Sequence, residues 1–107
     1  MSIPGTDELQ LLHEQICQAI GDIKCIQILY ALYEQPRQVT ALADLLEISQ
    51  PTVSRHLTVL RERALVIAER RGPAVIYHLA DARVIAVLNM MRQLLRDIHE
   101  RRATALS

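Results

Sequence analysis

The sequence predicts a mainly α-helical chain that carries one small β-hairpin. Half of its 107 residues are hydrophobic, yet the only aromatics are three tyrosines, so Leu, Ile, Val and Ala must build the core. That composition favours packed helices over a sheet sandwich. Apolar residues recur at helical spacing through most of the chain, and only between Leu65 and Leu79 does the pattern become that of strands. The length suits one domain over residues 1–107 and is too short for two.

Each element follows in order. Asp7 to Ile20 reads as a helix with Leu9, Leu12, Ile16, Ala19 and Ile20 on its apolar face, ended by Gly21. Asp22 can cap a second helix, whose inner face carries Ile23, Ile26, Leu29, Leu32 and Tyr33 and which stops before Pro36. Thr40 is expected to cap a short third helix that buries Leu42, Leu45 and Leu46. After a turn at Glu47-Ile48, Ser49 caps a fourth, with Pro51 in its first turn, where a missing N–H costs nothing. Val53, Leu57, Leu60 and Ala64 form the inner stripe of that helix. Leu65–Arg70 and Ala74–Leu79 are β-prone runs joined by Arg71-Gly72-Pro73, a hairpin. A long amphipathic helix follows from Asp81 to about Arg102. Its Val84, Leu88, Met91, Leu95 and Ile98 alternate in steps of four and three, a helix-pairing seam. The first six and last few residues are expected to fray.

The formal net charge is zero, but its distribution is uneven. Residues 1–35 hold one lysine against five acids, whereas residues 51–72 hold five arginines against two acids. Phosphate binding depends on where cations cluster rather than on their total. The basic segment also holds two short helices joined by a tight turn, the second opening Ser-Gln-Pro-Thr-Val-Ser-Arg-His-Leu: a helix-turn-helix at about 40–63 followed by a wing at about 65–79. With Val53, Leu57 and Leu60 inward, Gln50, Thr52, Ser54, Arg55, His56 and Thr58 turn outward or to the flanks. Arg can read guanine, Gln can read adenine, and hydroxyls take phosphates or base edges in a major groove. Ser49 and the free N–H groups at the helix start suit a phosphate. Arg70 and Arg71 place two cations on the hairpin tip, within reach of a minor groove or the backbone.

The run from Val39 to Arg61, with Ser49-Gln50-Pro51-Thr52-Val53-Ser54-Arg55-His56-Leu57 at its centre, resembles the core of the ArsR (ArsR/SmtB) family of bacterial and archaeal repressors. Ala64-Leu65-Val66 through Arg70-Arg71-Gly72 to Tyr77-His78-Leu79 is similar to that family's wing, and Gly21 to Leu29 to the opening of its second helix. The resemblance covers roughly residues 8–100. It implies a winged helix-turn-helix of order α-α-α-α-β-β-α, a homodimer joined through the first and last helices (about 7–20 and 81–102), and repression released by an inducer. A two-fold dimer would place two recognition helices on a palindromic operator with half-sites roughly 34–36 Å apart on duplex DNA.

The resemblance also implies where a sensor site would stand. One family type carries Cys-x-Cys beside the first helix of the DNA motif; Gln38 to Leu45 holds no thiol. Another binds zinc across the last-helix pair; Asp81-Ala82-Arg83 lacks the histidine, and Leu94, which cannot ligate zinc, falls where a second ligand is needed. Neither common metal site is present, and no cofactor is expected. Cys17 and Cys25 remain. They read either as small apolar core residues or as a thiol or soft-metal sensor. One position departs from the DNA motif: Glu47 stands where the turn usually has glycine, so a left-handed conformation costing about 1 kcal/mol is expected there.

A binding module that kept the winged shape but lost DNA is the competing reading, supported by the zero net charge and by Glu47. An enzyme is not expected: no carboxylate pair, Ser/His/Asp arrangement or phosphate loop appears. Neither a signal peptide nor an apolar run of membrane length is seen, which points to the cytoplasm.

Overall fold

The computed structural model describes residues 2–106; Met1 and Ser107, and the terminal fraying expected of them, lie outside the described residues. The element order is the expected one. Helix α1 runs through Thr6–Leu12, a π-helical turn at His13–Cys17 and a last turn at Gln18–Ile20. Then come α2 (Ile23–Glu34), α3 (Val39–Leu46), α4 (Gln50–Glu62), β1 (Val66–Arg71), β2 (Ala74–Leu79) and α5 (Arg83–Leu106).

Helix α2 is the hub, packed against α1, α3, α4, β2 and α5. Ile28, Leu29, Leu42, Val53, Leu57 and Leu60 are the largest fully buried side chains, so α2, α3 and α4 meet over aliphatic residues alone. Leu65, Val66, Val84, Ile85 and Leu88 extend that core beneath the wing and the start of α5. Burial of a Leu or Ile contributes on the order of 1.5–3 kcal/mol each, which is what holds helices this short in register.

Several faces differ from the sequence expectation. The buried residues of α2 are Cys25, Ile28, Leu29, Ala31 and Leu32, while Ile23 and Tyr33 are exposed. Nearly every position of this helix is apolar, so periodicity alone cannot fix its inner face. Helix α3 starts two residues early, with Gln38 rather than Thr40 at its N-cap and no side-chain cap, which leaves Thr40 exposed inside the first turn. It buries Leu42 and Ala43; Leu45 is exposed and Leu46 half-buried. Ala64 is no part of the α4 stripe: the helix ends at Glu62, and Ala64 is exposed in the left-handed region at φ 60°.

The hairpin pairs Val66 with Leu79 through Arg71 with Ala74, which leaves Gly72-Pro73 as a two-residue turn. Gly72 has φ 59°, and proline at the second position fixes a negative φ, so the turn is type II′ rather than I′. Arg37 adds a single rung to the outer edge of β2: its N–H donates to the Tyr77 carbonyl at 3.2 Å, and its carbonyl accepts from the Tyr77 N–H at 2.8 Å. That rung ties the segment ahead of α3 to the wing.

Asp81 stands two residues ahead of α5, and its carboxylate accepts from the Arg83 N–H at 2.9 Å and pairs with the Arg83 guanidinium at 2.8 Å. These contacts pull the Asp81 carboxyl down to about 2. Among the described residues of α5 the buried ones, Val84, Ile85 and Leu88, lie in its first turns, and Ile98 is half-buried. Tyr30 donates to Asn89 at 2.6 Å, and the Arg92 guanidinium lies 5.4 Å from the Tyr30 ring, clasping α5 to α2. Farther along, Met90, Met91, Leu94 and Leu95 are exposed, as are Leu9, Leu11 and Leu12 on α1.

Candidate nucleic-acid interface

The outer face of α4 is built by its inner one. Val53, Leu57 and Leu60 are at most 1% exposed, and this stripe leaves Gln50, Ser54, Arg55 and Thr58 on the open side. Ser49 fixes the start of the helix: its Oγ accepts from the Thr52 N–H at 3.4 Å and donates to Thr52 Oγ1 at 2.8 Å. A Ser N-cap of this kind is worth about 1 kcal/mol over alanine. Thr52 is therefore half-buried and occupied locally; with Pro51 lacking an N–H and the Val53 N–H donating to the Ser49 carbonyl at 3.0 Å, the Gln50 N–H is what the first turn leaves open. Thr58 Oγ1 donates back to the Ser54 carbonyl at 2.9 Å, so its methyl, more than its hydroxyl, is available to a groove.

Arg55 is exposed, and among the described residues its side chain has no hydrogen bond. The same holds for Arg70 in β1. Arg71, beside the Gly72-Pro73 turn, is tied to Glu69 at 2.8 Å, and His78 Nε2 meets the other Glu69 oxygen at 2.8 Å. The Arg71 hydrogen bond, chiefly, holds the Glu69 carboxyl below its ordinary range, so the wing tip carries one free arginine and one partly neutralised.

His56 departs from the expected DNA-facing set. Its side chain is only 16% exposed, with Nδ1 at 2.8 Å from the Thr52 carbonyl and Nε2 at 3.5 Å from Asp22 Oδ1. The ring lies against the start of α2 rather than on the open face, because position 56 stands three residues after Val53 and four before Leu60, on the flank of the buried stripe.

Asp22 caps α2 by accepting from the Cys25 N–H at 3.1 Å, a bond that lowers its carboxyl. Cys25 is buried, and burial, with help from Asp22, pushes its thiol up to about 11. Cys17 is exposed in the π-helical turn of α1. One ligand atom each from Asp22, Cys25 and His56 lies within 4.8 Å of the other two. The sequence does not reveal this cluster, because His56 stands 31 positions after Cys25 and only α2–α4 packing unites them.

No helix among the described residues is long and apolar enough to cross a membrane.

Against known proteins, the family model described as "Bacterial regulatory protein, arsR family" matches residues 24–68. The HTH-type transcriptional repressor SmtB of Mycobacterium tuberculosis is 45% identical over 67 residues, which are 63% of this chain and 50% of that protein. The chain thus matches about half the length of that relative. The arsenical resistance operon repressor of Bacillus subtilis is 31% identical over 83 residues, covering 77% of this chain and 79% of that one. Among solved structures, the homodimeric winged helix-turn-helix DNA-binding domain Mb0332 of Mycobacterium bovis, described as a possible ArsR-family regulator, superposes with TM-score 0.71 at 28% identity. It covers 95% of each chain.

Proposed function

The chain belongs to the ArsR family of bacterial regulatory proteins, and from that premise we propose that it is a homodimeric repressor that binds duplex DNA sequence-specifically. One observation carries the reading. A capped helix buries Val53, Leu57 and Leu60 and presents Gln50, Ser54, Arg55 and Thr58 on a free face, beside a hairpin whose tip carries arginines. Donors and a cation on a helix whose back is held by the domain are what major-groove reading requires.

In this mechanism Arg55 and Gln50 read base edges. Ser49 and the Gln50 N–H at the start of α4 hold a phosphate. Arg70, with Arg71 once it leaves Glu69, contacts the flanking backbone. Two copies join through α1 and the far half of α5, whose exposed leucines and methionines are otherwise unpartnered among the described residues. The two recognition helices then meet a palindromic operator, and an inducer releases the complex.

Fluorescence-anisotropy titration with the DNA upstream of its own gene, against scrambled duplex, tests this. Arg55→Ala is expected to weaken specific binding by about 1–3 kcal/mol, roughly 5- to 140-fold, and to relax preference at one base pair. Arg70→Ala is expected to weaken all duplexes alike. Equal loss of specific and non-specific binding on Arg55→Ala would remove the base-reading role. No binding to any duplex would favour a protein-interaction module instead.

A further inference from the structure

We infer that Asp22, Cys25 and His56 form a binding site for one divalent cation of the zinc class, clamped between the start of α2 and the recognition helix α4. The donor set is one thiol sulfur, one imidazole nitrogen and one carboxylate oxygen, all within 4.8 Å of one another. Zinc takes such N, S and O donors at about 2.0–2.3 Å, so tetrahedral ligand atoms stand roughly 3.3–3.7 Å apart. The widest gap therefore has to close by only about 1 Å, within reach of side-chain rotation.

The hydrogen bonding of His56 points to a cation independently of the spacing. Its Nδ1 lies 2.8 Å from the Thr52 carbonyl oxygen, which can only accept, so Nδ1 carries a proton and Nε2 is the nitrogen left to meet a ligand. Nε2 faces Asp22 Oδ1 at 3.5 Å. In the neutral ring these are two opposed acceptors, which a positive charge placed between them, a second ring proton or a metal ion, stabilises. The Thr52 bond is also the kind of outer contact that fixes a ligating histidine's tautomer and aim.

Charge decides what the site can hold. Arg55 and Arg63 line the same cavity of about 240 Å³ as the three donors, and Arg63 Nε is buried there without a hydrogen-bond partner among the described residues. A divalent ion would be repelled unless compensated. Binding displaces the Cys25 proton to solvent and forms the sulfur–metal bond, so thiolate and Asp22 carboxylate together supply two negative charges. The cavity leaves room for water as a fourth ligand. Cys17, exposed on α1, takes no part.

A coupling to DNA follows, and it rests on the repressor reading whereas the site does not. His56 neighbours Arg55 on α4, so an ion that draws the ring toward Asp22 and Cys25 fixes the rotation of the reading face.

Chelator-stripped full-length protein is titrated with Zn²⁺ and, separately, Co²⁺, and followed by native mass spectrometry and absorption. One ion per subunit is expected, with a thiolate-to-Co²⁺ charge-transfer band in the unmutated chain. Cys25→Ser and His56→Gln should each weaken uptake at least tenfold, and Cys17→Ser should leave it unchanged. Because Cys25 is buried, circular dichroism checks each variant's fold, and the Co²⁺ band of the unmutated chain reads the thiolate without any substitution. Absence of a bound ion (an imidazolium–carboxylate pair only), a Co²⁺ spectrum without the thiolate band, or uptake lost in Cys17→Ser and kept in Cys25→Ser would overturn the site. Anisotropy on the same preparations separates the two readings. DNA binding without metal uptake overturns this site and leaves the repressor, and metal uptake without DNA binding in either form does the reverse.

Discussion

Glu47 takes up the left-handed region at φ 55°, ψ 46° to end α3, and the amides of Glu47 and Ile48 both close on the Ala43 carbonyl. A side chain in that region costs about 1–2 kcal/mol, part of which glycine returns through its greater freedom in the unfolded chain. Glu47→Gly is therefore expected to raise stability by up to about 1 kcal/mol, read as a higher urea midpoint at constant slope. It should also tighten DNA binding by removing an acid next to the start of α4; a lowered midpoint would contradict the backbone argument. The conformation at Glu47 was legible through the family resemblance, because Glu47 stands where that turn usually has glycine. Ala64, at φ 60°, was not, since alanine carries no turn signal and its spacing continues the stripe of α4. The inward turn of His56 was equally hidden, because its partner Asp22 belongs to another helix.

At the level of elements, α4 and the wing were readable because each presents one clear period: a three-residue buried stripe in α4, and two β-prone runs about a Gly-Pro turn. Helix α2 was not, since Ile23 through Tyr33 is apolar on almost every side and only packing selects Cys25, Ile28, Leu29 and Leu32. The seam on α5 proves divided in its work. Val84 and Leu88 serve the chain's own core, whereas Met91 and Leu95 remain about half exposed. If those outer residues join two copies, a charge among them must be buried unpaired in the interface, a cost of several kcal/mol. Leu95→Glu is expected to convert the dimer to monomer in sedimentation velocity while the helical circular dichroism is retained. A variant that stays dimeric would place the interface elsewhere.

Across the whole molecule, charge is uneven rather than absent: acids outnumber bases five to one in residues 1–35, and arginines outnumber acids five to two in residues 51–72. With two or three arginines of each protomer meeting phosphates, a dimer neutralises about four to six, so log K should fall against log salt with a slope of roughly −4 to −5. A slope near zero would exclude a phosphate-anchored complex. Glu69→Gln, by releasing Arg71, should steepen it. The Arg37–Tyr77 rung bears on this encounter as well. Because it fastens the approach to α3 onto the outer strand of the hairpin, helix pair and wing arrive at a duplex as one preorganised tool. Much of the entropy of arranging them relative to each other is then spent during folding, before any DNA is met, and less affinity is surrendered at the moment of docking.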